Sequence, residues 1–126
     1  MSVLRWCRLL LVAWVTLVAA SGIARAEPVA MITGEQWMQS TEQLKKVYLI
    51  GIANAFEVEA AYHAAKPPTD EQSLIPRFGR GLKGQTLDTV RERLNQWYAA
   101  NPDRVKRPVL ETIWFEMVVP GLKQNK

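Results

Sequence analysis

Glu59 and His63 are the two side chains whose types and spacing come nearest to a chemical site in this chain. Residues four apart on a helix lie one turn apart on the same face. A carboxylate in that place could orient an imidazole for proton transfer. The spacing also fits a plain pair at a helix edge, or a Glu59 carboxylate bound to an arginine of the following helix, which is how such pairs ordinarily behave. The sequence leaves both interpretations open and favours the structural one.

The amino-acid composition lacks the side chains that most catalytic sites require. His63 is the only histidine and Cys7 the only cysteine, and Cys7 lies in the N-terminal segment discussed below. A multi-histidine metal site and a Cys-His pair are therefore both excluded from the folded part of the chain. Serines and acids for a Ser-His-Asp arrangement exist, but no nucleophile-elbow motif accompanies them. We predict a protein that is not an enzyme and that holds no metal or cofactor.

Residues 76–84 are a second candidate, because Arg77, Phe78, Arg80 and Lys83 occur there among three glycines. Arginine and aromatic side chains are common anchors of protein interfaces, and long loops often carry function. This run therefore predicts a partner-binding surface formed by those four side chains. The alternative is that the aromatic ring packs onto the fold while the three cations remain in solvent.

A helix over residues 41–65, ended by a pair of prolines, would position Glu59 and His63. At 100° per residue its apolar side chains cover most of the circumference, so we expect other elements to pack around it. We expect its buried arc to contain Gly51, where the missing side chain would let another helix, or less commonly a ligand, approach closely. That arc is formed by Leu44, Val47, Tyr48, Gly51, Ala55, Val58 and Tyr62.

Capping residues and helical spacing predict the remaining elements. Thr33 followed three residues later by Gln36 is a helix start signal, and Thr86 precedes a run of apolar side chains at helical spacing. Pro108 fits the first turn of a last helix, which we expect Pro120 to end. The predicted fold is all-α, a small antiparallel helical bundle around one central helix: a short helix over 34–39, the central helix over 41–65, a long loop with at most one helical turn over 66–85, and helices over 87–100 and 108–118.

The first 26 residues have the composition of a secretory signal peptide. Two arginines precede an uncharged stretch over residues 9–23, and the small residues Ala24 and Ala26 stand where a signal peptidase reads the chain. An uncleaved membrane anchor is the alternative, but the stretch is shorter than the roughly 20 residues that span a bilayer. We predict cleavage after Ala26, which removes Cys7, and a single periplasmic helical domain over residues 27–126 with no membrane attachment.

Cleavage would also change the charge balance. Three of the sixteen basic residues precede the predicted site and all twelve acids follow it, so the net charge would fall from +4 to +1. Binding to nucleic acid depends on neutralising phosphates with a strongly basic surface. We therefore exclude nucleic acid as a partner and expect a protein partner, with a homodimer as a further option.

Several short patterns follow one another in an order that resembles the Rap1a/Tai-type proteins. They are a Tyr-x-x-Gly-φ pattern at residues 48–52, a helix opening at Thr86, an aromatic pair before Asn-Pro at residues 97–102, and prolines at positions 108 and 120. The resemblance covers residues 34–121. It implies a small all-helical periplasmic domain, and the founding members of that family are immunity proteins that neutralise type VI secretion peptidoglycan amidases. Family members usually carry cysteines, one of them just after the last proline, where this chain has Gly121.

Three functions are compatible with these features. The first is a non-enzymatic periplasmic binding protein, in its sharpest form an immunity-type inhibitor of a cell-wall amidase effector. The second is a structural or stress-related periplasmic protein, similar in size and compartment to small acid-stress chaperones. The third is an enzyme that depends on Glu59. We favour the first, because the side chains needed for catalysis are missing or unsupported.

Overall fold

The structure, a computed structural model, describes residues 29–124 of the chain as a bundle of helices. The predicted all-α class is confirmed, and among residues 29–124 the only β structure is an isolated bridge between Thr33 and Pro108. The predicted signal peptide and its cleavage site lie outside the described residues. In chain order the elements are α1 (Gly34–Gln39), α2 (Glu42–Tyr62), α3 (Ile75–Gly81), α4 (Leu87–Ala100), a 3₁₀ turn (Pro102–Arg104) and the C-terminal helix, which consists of α5 (Val109–Ile113), a π-helical turn (Trp114–Val118) and α6 (Val119–Gln124).

Threonine side chains begin three of the helices. Thr33 Oγ1 accepts a hydrogen bond from the backbone N–H of Gln36 at 3.4 Å, while the Gln36 side chain accepts from the backbone N–H of Thr33 at 3.0 Å. Thr86 and Thr89 exchange the equivalent bonds at the start of α4, and the Thr41 hydroxyl caps α2. These contacts join residues three apart, so the local sequence is enough to predict them.

The hydrophobic core lies between α4 and the C-terminal helix. Leu94 and Tyr98 of α4 and Val118 of the C-terminal helix are fully buried. The Tyr98 hydroxyl donates to the carbonyl oxygen of Arg107 at 2.9 Å and shares a second hydrogen bond of 2.8 Å with Thr112 Oγ1. The single polar atom of this large ring is thus satisfied, which is what allows the whole side chain to be buried.

α2 lies on the outside of this core rather than at its centre, and the buried arc predicted for it is wrong. The side chains of Leu44, Val47, Val58 and Tyr62 are 60%, 52%, 70% and 84% exposed. Leu49, from a different side of the helix, is the apolar residue of α2 that is fully covered. α2 therefore packs on the bundle along one side and turns the predicted arc outward except at Tyr48, which packs edge-on against Trp37.

Lys45 shows why the sequence favoured the wrong side of α2. Apolar residues surround the helix almost completely, so helical spacing cannot decide which side is covered, and a lysine is ordinarily placed in solvent. Here the Lys45 side chain is buried, and its Nζ donates to Glu42 Oε1 at 2.7 Å. The same Nζ lies 5.7 Å from the ring centroid of Trp37. A buried ammonium needs such a partner, and the sequence alone does not reveal the pairing.

The close helix approaches in this fold use glycines other than Gly51. A Cβ added at Gly51 would meet nothing within 4 Å, so the expected helix contact does not occur among residues 29–124. A Cβ at Gly81 of α3 or at Gly121 of the C-terminal helix would instead run into backbone atoms of the other helix, and one at Gly34 would run into the ring of Tyr98. These three positions require a residue without a side chain.

The connection over residues 66–85 is not a loop throughout, because α3 occupies its middle. Pro76 stands in the first turn of α3, where its missing N–H has no helical partner to lose. Phe78 packs between the rings of Phe56 and Trp114, at centroid distances of 5.0 and 5.1 Å. The prolines and glycines that predicted a loop belong here to a helix start and to a tight helix crossing.

The C-terminal helix continues through Pro120, which we predicted to end it. A proline inside a helix leaves the carbonyl four residues earlier, here that of Glu116, without its donor. Arg93 of α4 donates to this carbonyl from Nη2 at 3.2 Å. The preceding residues, Trp114–Val118, form a wider π-helical turn, which is a recognised way for a helix to absorb such an interruption. The helix therefore reaches Gln124.

Candidate functional site

Glu59 and His63 stand at the C-terminal end of α2 and line the same cavity. The cavity has a volume of about 400 Å³, and its walls are α2, the residues that leave α2 and the start of α3. This volume is in the range of sites that hold a small organic group or a protein side chain. Most of the lining is apolar and includes Ala53, Phe56, Ala60, Pro67, Pro68 and Ile75.

The cavity follows from the residue types that surround it. Ala53 and Ala60 are small and leave room where larger side chains would fill the space. The last helical hydrogen bonds of α2 end at His63, whose backbone N–H donates to the carbonyl of Glu59 at 3.0 Å. Pro67 follows within four residues, and neither it nor the residue before it can continue a helix. The chain therefore turns away from α2 and returns only at α3, which leaves a gap between them.

The Glu59 carboxylate is held by Ser73, and its two oxygens differ in their surroundings. Oε1 accepts a hydrogen bond from Ser73 Oγ at 2.7 Å, and this hydroxyl oxygen in turn accepts from the backbone N–H of Ile75 at 3.1 Å. Oε2 is buried and has no hydrogen-bond partner among the described residues. A buried acceptor without a partner retains its full desolvation cost, about 1–3 kcal/mol and more when charged.

The imidazole of His63 is not oriented by Glu59. The ring packs edge-on against Tyr62 with a centroid distance of 4.9 Å, while the carboxylate is directed to Ser73. The arrangement for proton transfer that the spacing allowed is therefore not formed in this structure. The alternative in which an arginine of the next helix binds Glu59 is also wrong, because a serine from the connection takes that place.

Among the described residues, two glutamates and no lysine or arginine line the cavity. Glu57 and Glu59 both line it, and within residues 29–124 neither carboxylate takes part in a salt bridge. An apolar wall beside carboxylates is suited to a ligand with an aliphatic body and a cationic end. The side chains of lysine and arginine have this form.

The surface predicted at Arg77, Phe78, Arg80 and Lys83 is only partly available. Phe78 is 5% exposed in the core, so its expected role as an aromatic anchor for a partner is wrong. The Arg77 guanidinium lies 4.7 Å from the ring centroid of Trp114. Lys83 is exposed. A role for the three cations in binding a partner stays a prediction.

Arg80 is engaged within the chain. Its Nη2 donates to both carboxylate oxygens of Asp70, at 2.8 and 2.7 Å, and this bond holds the pKa of Asp70 below its ordinary value. Both side chains are half-exposed, and an ion pair of that kind contributes little to stability. The pair ties the connection after α2 to α3, next to the cavity.

Ser73 is the site residue that sequence reasoning missed. It stands three residues before Pro76, which lies in the first turn of α3, and a serine shortly before a proline in the first turn of a helix is a recognised start signal. That signal was present in the sequence and would have predicted α3. It would not have predicted the bond to Glu59, which joins residues fourteen apart in the chain.

Metal ligation finds no support in the part of the chain that the structure describes. No three histidine, cysteine, aspartate or glutamate side chains come together there as ligands would. In the same range, no helix has both the length and the apolar character needed to cross a bilayer.

Comparison of the chain with protein-family models, with curated proteins and with solved structures gives no match. The residues of the site are therefore interpreted from their own geometry.

Proposed function

We propose that this chain is a non-enzymatic binding protein of the periplasm, which accepts a basic side chain of a protein partner in the cavity beside Glu59. One observation carries the proposal. The apolar cavity is lined by a glutamate that has one buried carboxylate oxygen without a hydrogen-bond partner among the described residues.

A cationic side chain would improve the free energy of this arrangement. Its aliphatic stem would cover the apolar walls, and its charged end would supply the donor that Oε2 of Glu59 lacks. The terminal torsion of a glutamate is broad, so a small rotation of the carboxylate would present Oε2 without moving the helix. Fully buried anchors in pockets are the residues that dominate protein interfaces.

The same contacts favour binding over catalysis. A nucleophilic serine works with a histidine base, and that histidine is itself oriented by an acid. Here the acid, Glu59, accepts the hydrogen bond of the Ser73 hydroxyl, and the histidine, His63, packs on Tyr62. The serine is therefore hydrogen-bonded to the acid instead of to the histidine, and this arrangement does not transfer a proton from the serine to the histidine.

An immunity-type inhibitor of a peptidoglycan amidase is the sharper form of the proposal. It rests on the resemblance to Rap1a/Tai-type proteins and on the predicted export of the chain. In this form the cavity would receive a lysine or arginine from the surface of the amidase. The amidase would then be blocked by direct contact.

Titration of the ¹⁵N-labelled protein with N-acetyl-lysine methylamide, followed by NMR, tests the site. We expect shifts of the amides that line the cavity, and no such shifts with the norleucine analogue, which has the stem without the charge. Glu59→Gln should weaken lysine binding at least tenfold, because a neutral amide replaces the charged acceptor. Glu71→Gln makes the same charge change on an exposed residue of the connection and serves as the control. Equal binding of both probes, or of lysine to Glu59→Gln, would contradict the site.

Inhibition of purified peptidoglycan amidase effectors tests the sharper form separately. We expect the protein to stop release of peptides from peptidoglycan by one such amidase, and Glu59→Gln to do so at least tenfold less effectively. If lysine binding is retained but no amidase is inhibited, the binding site stands and the immunity role does not.

A further inference from the structure

The side of α2 that faces away from the bundle is uncharged over its whole length. At 100° per residue it spans about 140° of the helix. The large apolar side chains on it are exposed to between 37% and 84%, and a Cβ at its central glycine, Gly51, would meet open space. We call this surface the outer face of α2. It consists of Gln43, Leu44, Val47, Ile50, Gly51, Asn54, Ala55, Val58, Ala61 and Tyr62.

Two opposite charges mark one edge of the outer face. Lys46 and Glu57 are eleven residues apart, which places them within about 20° of each other around the helix and roughly 16 Å apart along it. The midpoint between them lies beside Gly51. Lys46 has an intrachain carboxylate, that of Asp88, only at 4.0 Å, and Glu57 takes part in none of the salt bridges within residues 29–124.

We propose that the outer face of α2 binds a second copy of this chain, with the two helices antiparallel and crossing at Gly51. The interface meets the cavity at Glu57, which lines both, but its other residues lie outside the cavity and it does not depend on the proposed function. A two-fold axis through this crossing, perpendicular to both helices, places the same edge of each helix on the same side of the interface. The two edges run in opposite directions. Lys46 of each copy then faces Glu57 of the other, so the charges are complementary twice over.

The apolar side chains also interleave in this arrangement. Counting 1.5 Å per residue from the crossing, Val58 of the second copy falls beside Leu44, and its Ala55 beside Val47. Gly51 meets Gly51 at the point of closest approach, where the absence of side chains lets the two backbones approach. A glycine in the middle of a long helix weakens that helix, and the crossing gives a reason for its presence.

Other occupants fit the outer face less well. In a parallel pair the two-fold axis runs along the helices and places the edges that carry Lys46 and Glu57 on opposite sides of the interface, so these two charges would not be paired. A lipid surface is attracted by a basic rim, whereas this edge has one charge of each sign. The length of α2, about 31 Å, gives an interface at the small end of the range for stable complexes. We therefore expect a dimer that forms and dissociates with concentration.

Sedimentation equilibrium of the protein produced from its full-length gene tests the pairing through charge reversal. We expect the average mass to rise from that of one chain towards that of two as the concentration increases. Lys46→Glu and Glu57→Lys should each raise the dimer dissociation constant at least tenfold, because like charges then face each other. The double variant should restore the dissociation constant to within a few-fold of the parent value. Such a recovery is expected only if the two positions face each other in the dimer.

Gly51→Gln separates the dimer from the stability of the fold. The added side chain enters open space in a single copy and glutamine is a better helix former than glycine, so helical circular dichroism should be maintained and the melting temperature at low concentration should not fall, while the dissociation constant rises at least tenfold. In a Cys7→Ser background, Gly51→Cys should cross-link two chains on mild oxidation and Gln72→Cys should not.

A protein that is monomeric at every concentration overturns the proposal. A dimer that is unaffected by both charge reversals also overturns it, and so does a double variant that does not recover dimerisation. A monomer that binds anionic vesicles through Val47 and Val58 would assign the outer face of α2 to lipid instead.

Discussion

The two halves of α2 are built from similar residues but are used differently. The first half, residues 42–49, is fixed to α4 through Glu42, whose carboxylate binds Lys45 Nζ at 2.7 Å and lies 3.0 Å from Arg91 Nε. It is fixed to α1 by Lys45 and Tyr48, which contact the ring of Trp37. In the pair of Glu42 and Arg91, Nε is the nearest guanidinium atom. This last contact is an ion pair in which the N–H is not aligned for a hydrogen bond. The second half, residues 53–62, touches α3 through Phe56 and Phe78 and otherwise borders the cavity.

One helix thus anchors the fold with one half and borders a cavity with the other. Buried contacts and ion pairs hold the first half in place, so the second half is positioned without a complete set of contacts of its own. Binding sites of this kind combine a rigid support with a surface that is not used for folding. The outer face runs along both halves, and the cavity belongs to the second half alone.

Trp37→Ala is expected to have the largest effect and would break the anchoring of the first half. The ring is 1% exposed, its Nε1 donates to Asn95 Oδ1 at 2.9 Å, and it packs edge-on against Tyr48. Truncating a buried tryptophan should lower the free energy of unfolding by about 3–5 kcal/mol. Urea denaturation measures this change. Met38→Ala, a truncation of the half-exposed next residue, is the matched control and should cost clearly less; equal costs would show that Trp37 is not the anchor.

Alanine in place of two glycines compares the packed region with the outer face. A Cβ at Gly121 runs into the backbone of Gly81, so Gly121→Ala should lower the free energy of unfolding by about 1–3 kcal/mol. Gly51→Ala places its methyl group in open space and should raise the free energy by about 0.5–1 kcal/mol, because alanine is the better helix former. Both values come from urea denaturation at low protein concentration. Changes of the same sign at both positions would remove the distinction between the two surfaces.

The sequence predicted those parts of the fold that depend on neighbouring residues. The caps at Thr33, Thr41 and Thr86 are contacts within one helical turn. The helix that Thr86 begins, α4, has a clean separation of apolar and polar faces, and both of its ends agree with the prediction. The start of α2 is likewise within one residue of its prediction, while its end at Tyr62 comes three residues early.

The parts that could not be predicted depend on residues distant in the chain. The covered side of α2 is set by the burial of Lys45, which requires the ring of Trp37 to lie beside it. The C-terminal helix passes Pro120 because Arg93 of α4 reaches the carbonyl of Glu116. The spacing of Glu59 and His63 identified two residues of the cavity, but the cavity itself exists only because α3 returns to α2.

The pH dependence of stability isolates the contribution of Glu42 to the anchoring of the first half of α2. The hydrogen bond from Lys45, assisted by the charges of Lys45 and Arg91, holds the pKa of Glu42 below its ordinary value. A carboxylate whose folded pKa is depressed stabilises the protein above its unfolded pKa, and this contribution is lost as the pH falls through the folded pKa. The parent should therefore be more resistant to urea than Glu42→Gln near neutral pH, and the difference should disappear as the pH falls through the lowered folded pKa of Glu42, because the protonated carboxyl group resembles the amide. The urea midpoint measured between about pH 7 and pH 3 gives both curves.

Glu92→Gln removes one negative charge from the exposed side of α4 and is the control for net charge. If it changes the pH dependence as much as Glu42→Gln does, the effect belongs to the overall charge of the protein and the first half of α2 is not anchored by this ion pair.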